Sequence, residues 1–334
     1  MPWKGEKDAY KIWISEIILQ QTRVLQGISY YNKFLEKFPD VKTLAEASEA
    51  EVFKVWEGLG YYSRCKNILH TARHIVNNLD GVFPRDYHNI LALKGIGPYT
   101  ASAISSFAYG LPHAVVDGNV LRVLSRYFGE ATPIDSSQGS AIFNKLADLA
   151  LDKKDPASYN QAIMDFGATI CKPRIAECTH CMLQKKCIAF KTGQVNKLPV
   201  KAKKLARRSR WLYYFIFIVG DHVLVNKRVG NDIWQNLHEF YLYEAYESTK
   251  WDEVKVELWL KEQLGIKNYF LKHSSATYSQ QLTHQSLQGQ LFVIQLQKVP
   301  KSLQHFESIK LKDILLLAFP KFINTYLEKH PLPL

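Results

Sequence analysis

A chain of 334 residues is long enough for two domains, each with its own core. Its formal charge of +12, with a local excess over Lys197–Arg210, favours a polyanionic partner such as nucleic acid over an acidic small molecule. The longest apolar run, Trp211–Val219, is too short to span a bilayer, and no basic-headed apolar leader with a small-residue cleavage site is present. A soluble, intracellular protein with no membrane partner is therefore expected, cytoplasmic and nucleoid-associated if bacterial.

Residues 10–190 read as almost entirely helical, with apolar residues at 3–4 spacing broken by Gly, Pro or Asp. The predicted helices are Tyr10–Ile28, Ile28–Phe38, Ala50–Trp56, Cys65–Leu79, Tyr87–Leu93, Tyr99–Tyr109, Val120–Phe128, Ser136–Leu151 and Tyr159–Ile170. Residues 191–210 are poor in apolar side chains and rich in Lys and Arg, and read as a basic linker. The pattern then changes. Trp211–Val219 and His222–Lys227 are strand-like around the turn Gly220-Asp221, and Phe240–Tyr246 is a further strand. Glu253–Leu264 reads as a helix, Tyr269–Leu296 as strands around Gly289, and Asp313–Lys329 as a helix interrupted by Pro320. The expected organisation is an all-α domain over 1–190, a linker over 191–210 and an α+β domain over 211–334.

Three stretches can carry chemistry. In Gly95-Ile96-Gly97-Pro98 a glycine turn opens a helix, and Pro suits the first helical position. Backbone N–H groups at such a helix start attract an anion, so Gly95 and Gly97 are candidate phosphate-binding positions. Glu16 lies in Trp13–Thr22, and its helical neighbours Ile12, Trp13, Leu19 and Gln20 include no cation for a surface ion pair. A carboxyl in apolar surroundings holds its proton to higher pH, as a general acid must. Asp117 precedes the run Val120–Phe128 and suits a helix N-cap, a role compatible with facing a positive charge. A protonated and an ionised carboxyl together form the pairing used to break a bond at a sugar C1. In nucleic acid that bond joins the sugar to a base, which must first be flipped out of the stack.

The cysteines run Cys171-x6-Cys178-x2-Cys181-x5-Cys187, apart from Cys65, which reads as a buried core residue. Such crowding in a cytosolic protein points to metal ligation before disulfides. Ligand softness allows either zinc or a [4Fe–4S] cluster, and spacing alone does not choose, although zinc is the commoner occupant of four-cysteine sites.

The helix-hairpin-helix stretch Leu93–Ile104, the downstream Asp117 and the cysteine spacing together resemble the endonuclease III superfamily of DNA glycosylases. The details are similar to its adenine DNA glycosylase (MutY) branch, and the resemblance covers nearly the whole chain. It implies that Cys171, Cys178, Cys181 and Cys187 hold a [4Fe–4S] cluster, against the zinc expectation. It implies that Glu16 protonates adenine and that Asp117, in the motif Val116–Val120 with Asn119, stabilises the sugar cation. Gly58–Arg64 resembles the branch's duplex-wedging loop, from which Tyr62 is taken as the substrate contact, with Gln21 as a companion. Trp3 and Leu19 are expected to line the adenine pocket, with Asp165 near the base. Lys4 stands where some members have Arg. The branch has a helix ahead of its Leu-Pro-Trp segment, whereas this chain starts at Met1-Pro2-Trp3.

Lyase-active relatives carry a nucleophilic Lys after the Pro of the hairpin, but this chain has Tyr99 there, and Lys94 does not match that position. The implied activity is a hydrolase that removes adenine paired with 8-oxoguanine or guanine in duplex DNA, without strand cleavage, acting in base excision repair as a monomer. The C-terminal part resembles a Nudix-like module, with Trp234–Phe240 fitting its Trp…Glu-Phe turn. A carboxylate-rich metal helix is represented only by fragments such as Glu262–Gly265, so no pyrophosphate hydrolysis is expected. Leu282-Thr283-His284 matches the branch's Phe-Ser-His loop for 8-oxoguanine, making Thr283 and His284 candidate contacts. The rival readings are a bifunctional endonuclease III-like glycosylase/lyase and a non-catalytic mismatch-binding protein.

Overall fold

The computed structural model describes residues 3–202 and 207–333. The helices, in chain order, are α1 (Ala9–Leu19), α2 (Val24–Lys37), α3 (Val41–Glu46), α4 (Glu49–Trp56), α5 (Tyr62–Asn78), α6 (Tyr87–Ala92), α7 (Pro98–Tyr109), α8 (Gly118–Phe128), α9 (Ser137–Ala150), α10 (Pro156–Thr169), α11 (Ile188–Lys191), α12 (Glu253–Leu264) and α13 (Lys321–Lys329). The strands are β1 (Arg208–Val219), β2 (His222–Lys227), β3 (His238–Glu239), β4 (Tyr241–Ala245), β5 (Phe270–Ser274), β6 (Tyr278–Gln281), β7 (Gln285–Leu296) and β8 (Glu307–Lys310). The chain divides into two compact units, residues 3–47 with 66–202, and 48–65 with 207–333. Residues 48–65 thus group with the C-terminal unit although they interrupt the helical one in sequence. Among the described residues no helix is long and apolar enough to cross a membrane.

In the helical unit α1 is buried on almost every side, through Ile12, Trp13, Ile14, Ile17 and Ile18. A helix apolar all round needs neighbours all round. α7 is one of them, and its small buried residues Ala101, Ala103 and Ser105 let the two backbones approach closely. The expected helix Tyr10–Ile28 is in fact two. α1 stops at Leu19, and Gln21 takes a left-handed φ of 57°, a break that no Gly or Pro announces. Helix ends follow the side chains: the Asp8, Asp40, Asp117 and Ser136 side chains cap α1, α3, α8 and α9, and left-handed Gly110 and Gly129 close α7 and α8. α8 and α9 share a small core of Val120, Leu124, Phe143 and Ala147.

The C-terminal unit is built on a mixed sheet in the order β3-β2-β1-β7-β5, with β4 added to β1, β6 to β7 and β8 to β2. β1 and β7 run parallel along their whole length, so that Leu212 faces Gly289. A Cβ on Gly289 would stand 1.7 Å from the Leu212 carbonyl oxygen, so this glycine permits a close backbone approach inside β7. It does not separate two strands, as its position in the sequence had suggested. The core on one face of the sheet is aromatic, with Phe215 stacked between Trp259 at 4.3 Å and Phe292 at 5.1 Å. α12 forms over the expected span because Asp252 caps its start and left-handed Gly265 its end. At the C-terminus Leu311–Leu316 is 3₁₀, and Pro320 opens α13 instead of interrupting it. Part of the basic linker expected over 191–210, residues 203–206, lies outside the described residues, as do Met1 and Pro2.

In this unit the loop-bearing segment 48–65 is tied to the sheet side by directed bonds. The backbone N–H of Phe319 donates to Glu57 Oε1 at 2.7 Å, Lys54 Nζ donates to the Leu317 carbonyl at 2.9 Å, and Asn236 Nδ2 donates to Glu49 Oε1 at 2.9 Å.

Candidate active site

Glu16 sits in the buried middle of α1 and is 7% exposed. The Tyr99 hydroxyl, from the first turn of α7, donates to its Oε2 at 2.7 Å. Burial pushes the Glu16 carboxyl up to about 7. The Tyr99 bond opposes that shift, and the nearby Asp117 charge reinforces it. Burial and the Glu16 carboxyl in turn hold the Tyr99 phenol far above its ordinary range, so it stays a donor.

Asp117 is held by its own helix start. Its Oδ1 accepts from the backbone N–H groups of Asn119 at 2.8 Å and Val120 at 2.7 Å, and its Oδ2 from Asn119 Nδ2 at 2.7 Å. Asn119 Oδ1 accepts from Arg122 Nη2 at 2.9 Å, and the same nitrogen donates to the Gly167 carbonyl at 2.7 Å. A Cβ on Gly167 would come within 2.8 Å of Asn119 Cβ, so α10 can abut the start of α8 only with glycine there. Asn119 thus orients the Asp117 carboxylate and is itself held by Arg122.

A cavity of about 380 Å³ opens beside Glu16, lined among others by Trp3, Ser15, Phe107, Gln161 and Asp165. Trp3 stands edge-on to Tyr31 at 5.5 Å. Lys4 Nζ meets Asp165 Oδ2 at 2.5 Å, a half-exposed ion pair at the rim. Leu19 does not line this cavity. It points toward α2, where a Cβ on Gly27 would meet its Cδ2 at 2.9 Å, because the α1 face that carries Leu19 is the one packed on α2. Gln21 is exposed in the break after α1.

The hairpin turn has the expected form. Gly95 takes φ 81°, where a Cβ would strike the Asn67 side chain at 2.6 Å, and Gly97 precedes α7 with Pro98 as its first residue and no side-chain cap. The first turn of α7 is thus left to an anion or solvent.

In the C-terminal unit the two tyrosines of the Gly-rich loop part company. Tyr62 is buried, stacked on Phe53 at 6.0 Å, and its hydroxyl accepts from the Gly58 N–H at 3.1 Å. A side chain so engaged cannot enter a duplex, which corrects the choice of Tyr62. Tyr61 is the exposed one, at 41%, held at φ 49° between left-handed Gly60 and the start of α5. Its hydroxyl is bonded to that of Thr283, and His284 beside it is exposed. Adjacent tyrosines carry no local signal to tell them apart; the only hint was that Tyr61 directly follows Gly60.

Cys171, Cys178, Cys181 and Cys187 are free thiols that line one small cavity of about 30 Å³ together with Arg126, Glu177 and Gln184. Arg126 Nη1 lies 3.3 Å from Cys171 Sγ, and Arg122 Nε donates to the Cys171 carbonyl at 2.7 Å. Among the described residues no three His, Cys, Asp or Glu side chains gather tightly enough for a single metal ion. Four thiols that line one cavity beside an arginine are a soft, all-sulfur donor set of the kind that an iron–sulfur cluster takes.

The HhH-GPD superfamily of base excision DNA repair proteins matches residues 14–147, and the NUDIX domain family matches 213–329. An adenine DNA glycosylase of Buchnera aphidicola subsp. Schizaphis graminum is 34% identical over 78% of this chain and 74% of its own length. The chain belongs to the adenine DNA glycosylase family. The family's Mus musculus member is 40% identical over 60% of this chain, which spans 41% of that longer protein. Among solved structures a thermostable thymine-DNA glycosylase superposes with a TM-score of 0.54 at 30% identity, covering 57% of this chain and 88% of the other. Endonuclease III in a non-covalent DNA complex, at TM-score 0.50 and 22% identity over 56% of this chain and 86% of the other, shares the fold. A helical HhH-GPD unit followed by a sheet-containing Nudix-like unit is thus the architecture of this adenine DNA glycosylase family member.

Proposed function

We propose that this chain excises adenine paired with 8-oxoguanine or guanine in duplex DNA, by hydrolysis of the N-glycosidic bond without cutting the strand. The observation that carries the reading is Glu16, a buried carboxyl titrating near 7 on the wall of a cavity large enough for a flipped purine. A phosphate rests on the start of α7 at Gly95 and Gly97. The extruded base enters past Trp3 and Asp165, and protonated Glu16 donates to it as the bond breaks. Asp117, fixed by its own helix start and by Asn119, faces the cationic sugar that is left. Tyr99 keeps Glu16 aimed, and as a phenol it supplies no amine for a Schiff base, which argues against the lyase reading. A non-catalytic binding protein would have no use for a buried carboxyl held half-protonated beside an ordered carboxylate.

Opposite the adenine, the exposed Tyr61 is the wedge in place of Tyr62, with Gln21 as companion, while Thr283 and His284 read the 8-oxoguanine. Cys171, Cys178, Cys181 and Cys187 would hold a [4Fe–4S] cluster, whose contribution is to bind residues 171–187 into a fixed loop. The protein acts as a monomer, with residues 3–47 and 66–202 as the glycosylase unit and residues 48–65 and 207–333 as the lesion-sensing unit. The test is incubation with a duplex holding one 8-oxoguanine:adenine pair, followed by chromatography for free adenine and a denaturing gel with and without alkali. Free adenine with strands that break only after alkali is expected. Breakage without alkali would favour the lyase, and no adenine release would end the catalytic reading.

A further inference from the structure

The Gly58–Arg64 loop contains a costly residue that the reaction above does not use. Arg64 is 9% exposed, yet its guanidinium faces two aromatic rings, Trp56 at 5.2 Å and Tyr61 at 5.5 Å to the ring centres. Its Nη2 donates to the Gly60 carbonyl at 3.1 Å, an oxygen that also accepts from Trp56 Nε1 at 3.1 Å. Desolvation pulls its pKa down to about 10, the mark of a cation kept where water would serve it better. A Leu or Met would pack on Trp56 without that cost. What only a flat, permanently charged group supplies is a platform for an aromatic ring together with a directed bond beside it.

Both contacts converge on the backbone conformation of Tyr61. The doubly bonded Gly60 carbonyl fixes the residue that leads into it, with φ 75° at Gly60 and 49° at Tyr61, and a non-glycine residue rests there only when its surroundings impose it. The ring is then backed by the guanidinium, and its hydroxyl is tied to Thr283. We propose that Arg64 is a positioning residue that holds the Tyr61 side chain in its wedging orientation before DNA arrives. The inference rests on the reading of Tyr61 as the wedge. An unclamped tyrosine would lose side-chain entropy on each insertion, so preorganisation shows in the speed of insertion and excision more than in overall fold.

The test is a double-mutant cycle on the full chain, with Arg64→Lys, Tyr61→Ala and the pair. The readouts are single-turnover adenine release from an 8-oxoguanine:adenine duplex and the fluorescence of 2-aminopurine placed beside the oxidised guanine, which reports unstacking by the wedge. Arg64→Lys is expected to slow excision about tenfold and to reduce the fluorescence change, while in the Tyr61→Ala background it changes neither. An equal loss in both backgrounds would overturn the positioning role and leave Arg64 a structural residue. If Tyr61→Ala by itself leaves both readouts unchanged, the wedge reading fails, an outcome distinct from failure of the clamp. Arg64→Gln keeps a donor for the Gly60 carbonyl without the cation, and carries the same cycle if Arg64→Lys does not fold. Normal excision and fluorescence in Arg64→Gln would also overturn the proposal.

Discussion

Replacing Glu16 with Gln separates what the carboxyl does for the reaction from what it costs the fold. The group titrates near 4.5 when unperturbed and near 7 in the folded chain, where burial dominates. A folded pKa above the unfolded one means that between pH 4.5 and 7 the native state holds a proton that the unfolded state has released. Stability therefore falls as pH rises through that window, and the loss is complete above the folded value. The difference of about 2.5 units corresponds to roughly 3 kcal/mol at about 1.4 kcal/mol per unit. Glutamine has nearly the same shape, still accepts from Tyr99, and carries no charge. Glu16→Gln should match the parent below pH 4.5 and gain on it up to pH 7, by as much as about 3 kcal/mol. Urea titrations at pH 4 and pH 8 measure this, read on the transition that includes the helical unit because two units need not unfold together. The same variant should bind the duplex and lose about 10²- to 10⁴-fold in excision. Equal stability gaps at both pH values would show that Glu16 is not a desolvated acid, and normal turnover would show that it is not the proton donor.

Tyr99→Phe removes the bond that favours the Glu16 carboxylate, so Glu16 should titrate at higher pH and the alkaline limb of the excision profile should move upward; a limb that moves down would refute the assigned sense of that bond. Asp117→Asn keeps a side chain able to cap α8, so its melting temperature should stay close to the parent's while single-turnover excision falls at least a hundredfold. Gly167→Ala drives a methyl against Asn119 and should cost about 1–3 kcal/mol in chemical denaturation, with a loss of excision as Asp117 shifts. Cys181→Ala should reduce bound iron and sulfide and lower thermal stability; a protein that carries zinc in place of iron would contradict the cluster assignment.

Sequence patterning sees what is local and misses what another part of the chain imposes. α12 and β2 were legible to the residue, since Asp252 and Gly265 bracket one and a simple hydrophobic run marks the other. Glu16 stood out because no cation lay within helical reach, and its burial bears out the apolar setting inferred from those neighbours. The break at Gln21, by contrast, has no local signal, since residues 20–23 contain no Gly or Pro that would have warned of it. Leu19 and Tyr62 were assigned by proximity to recognisable motifs, but which face of α1 meets α2, and which of two tyrosines turns inward, is decided by packing. Arg122, which joins the Asn119 amide to the Cys171 carbonyl, was invisible for the same reason: Cys171 lies 49 residues away. The attachment of residues 48–65 to the C-terminal unit likewise has no local signature.

The most direct test of the central claim is the pH dependence of single-turnover adenine release from an 8-oxoguanine:adenine duplex. A protonated Glu16 that titrates at about 7 predicts a rate that is steady at lower pH and falls about tenfold per unit above that value, with strands intact until alkali is added. A rate that stays level from pH 6 to 9 would contradict a buried glutamic acid as the proton donor.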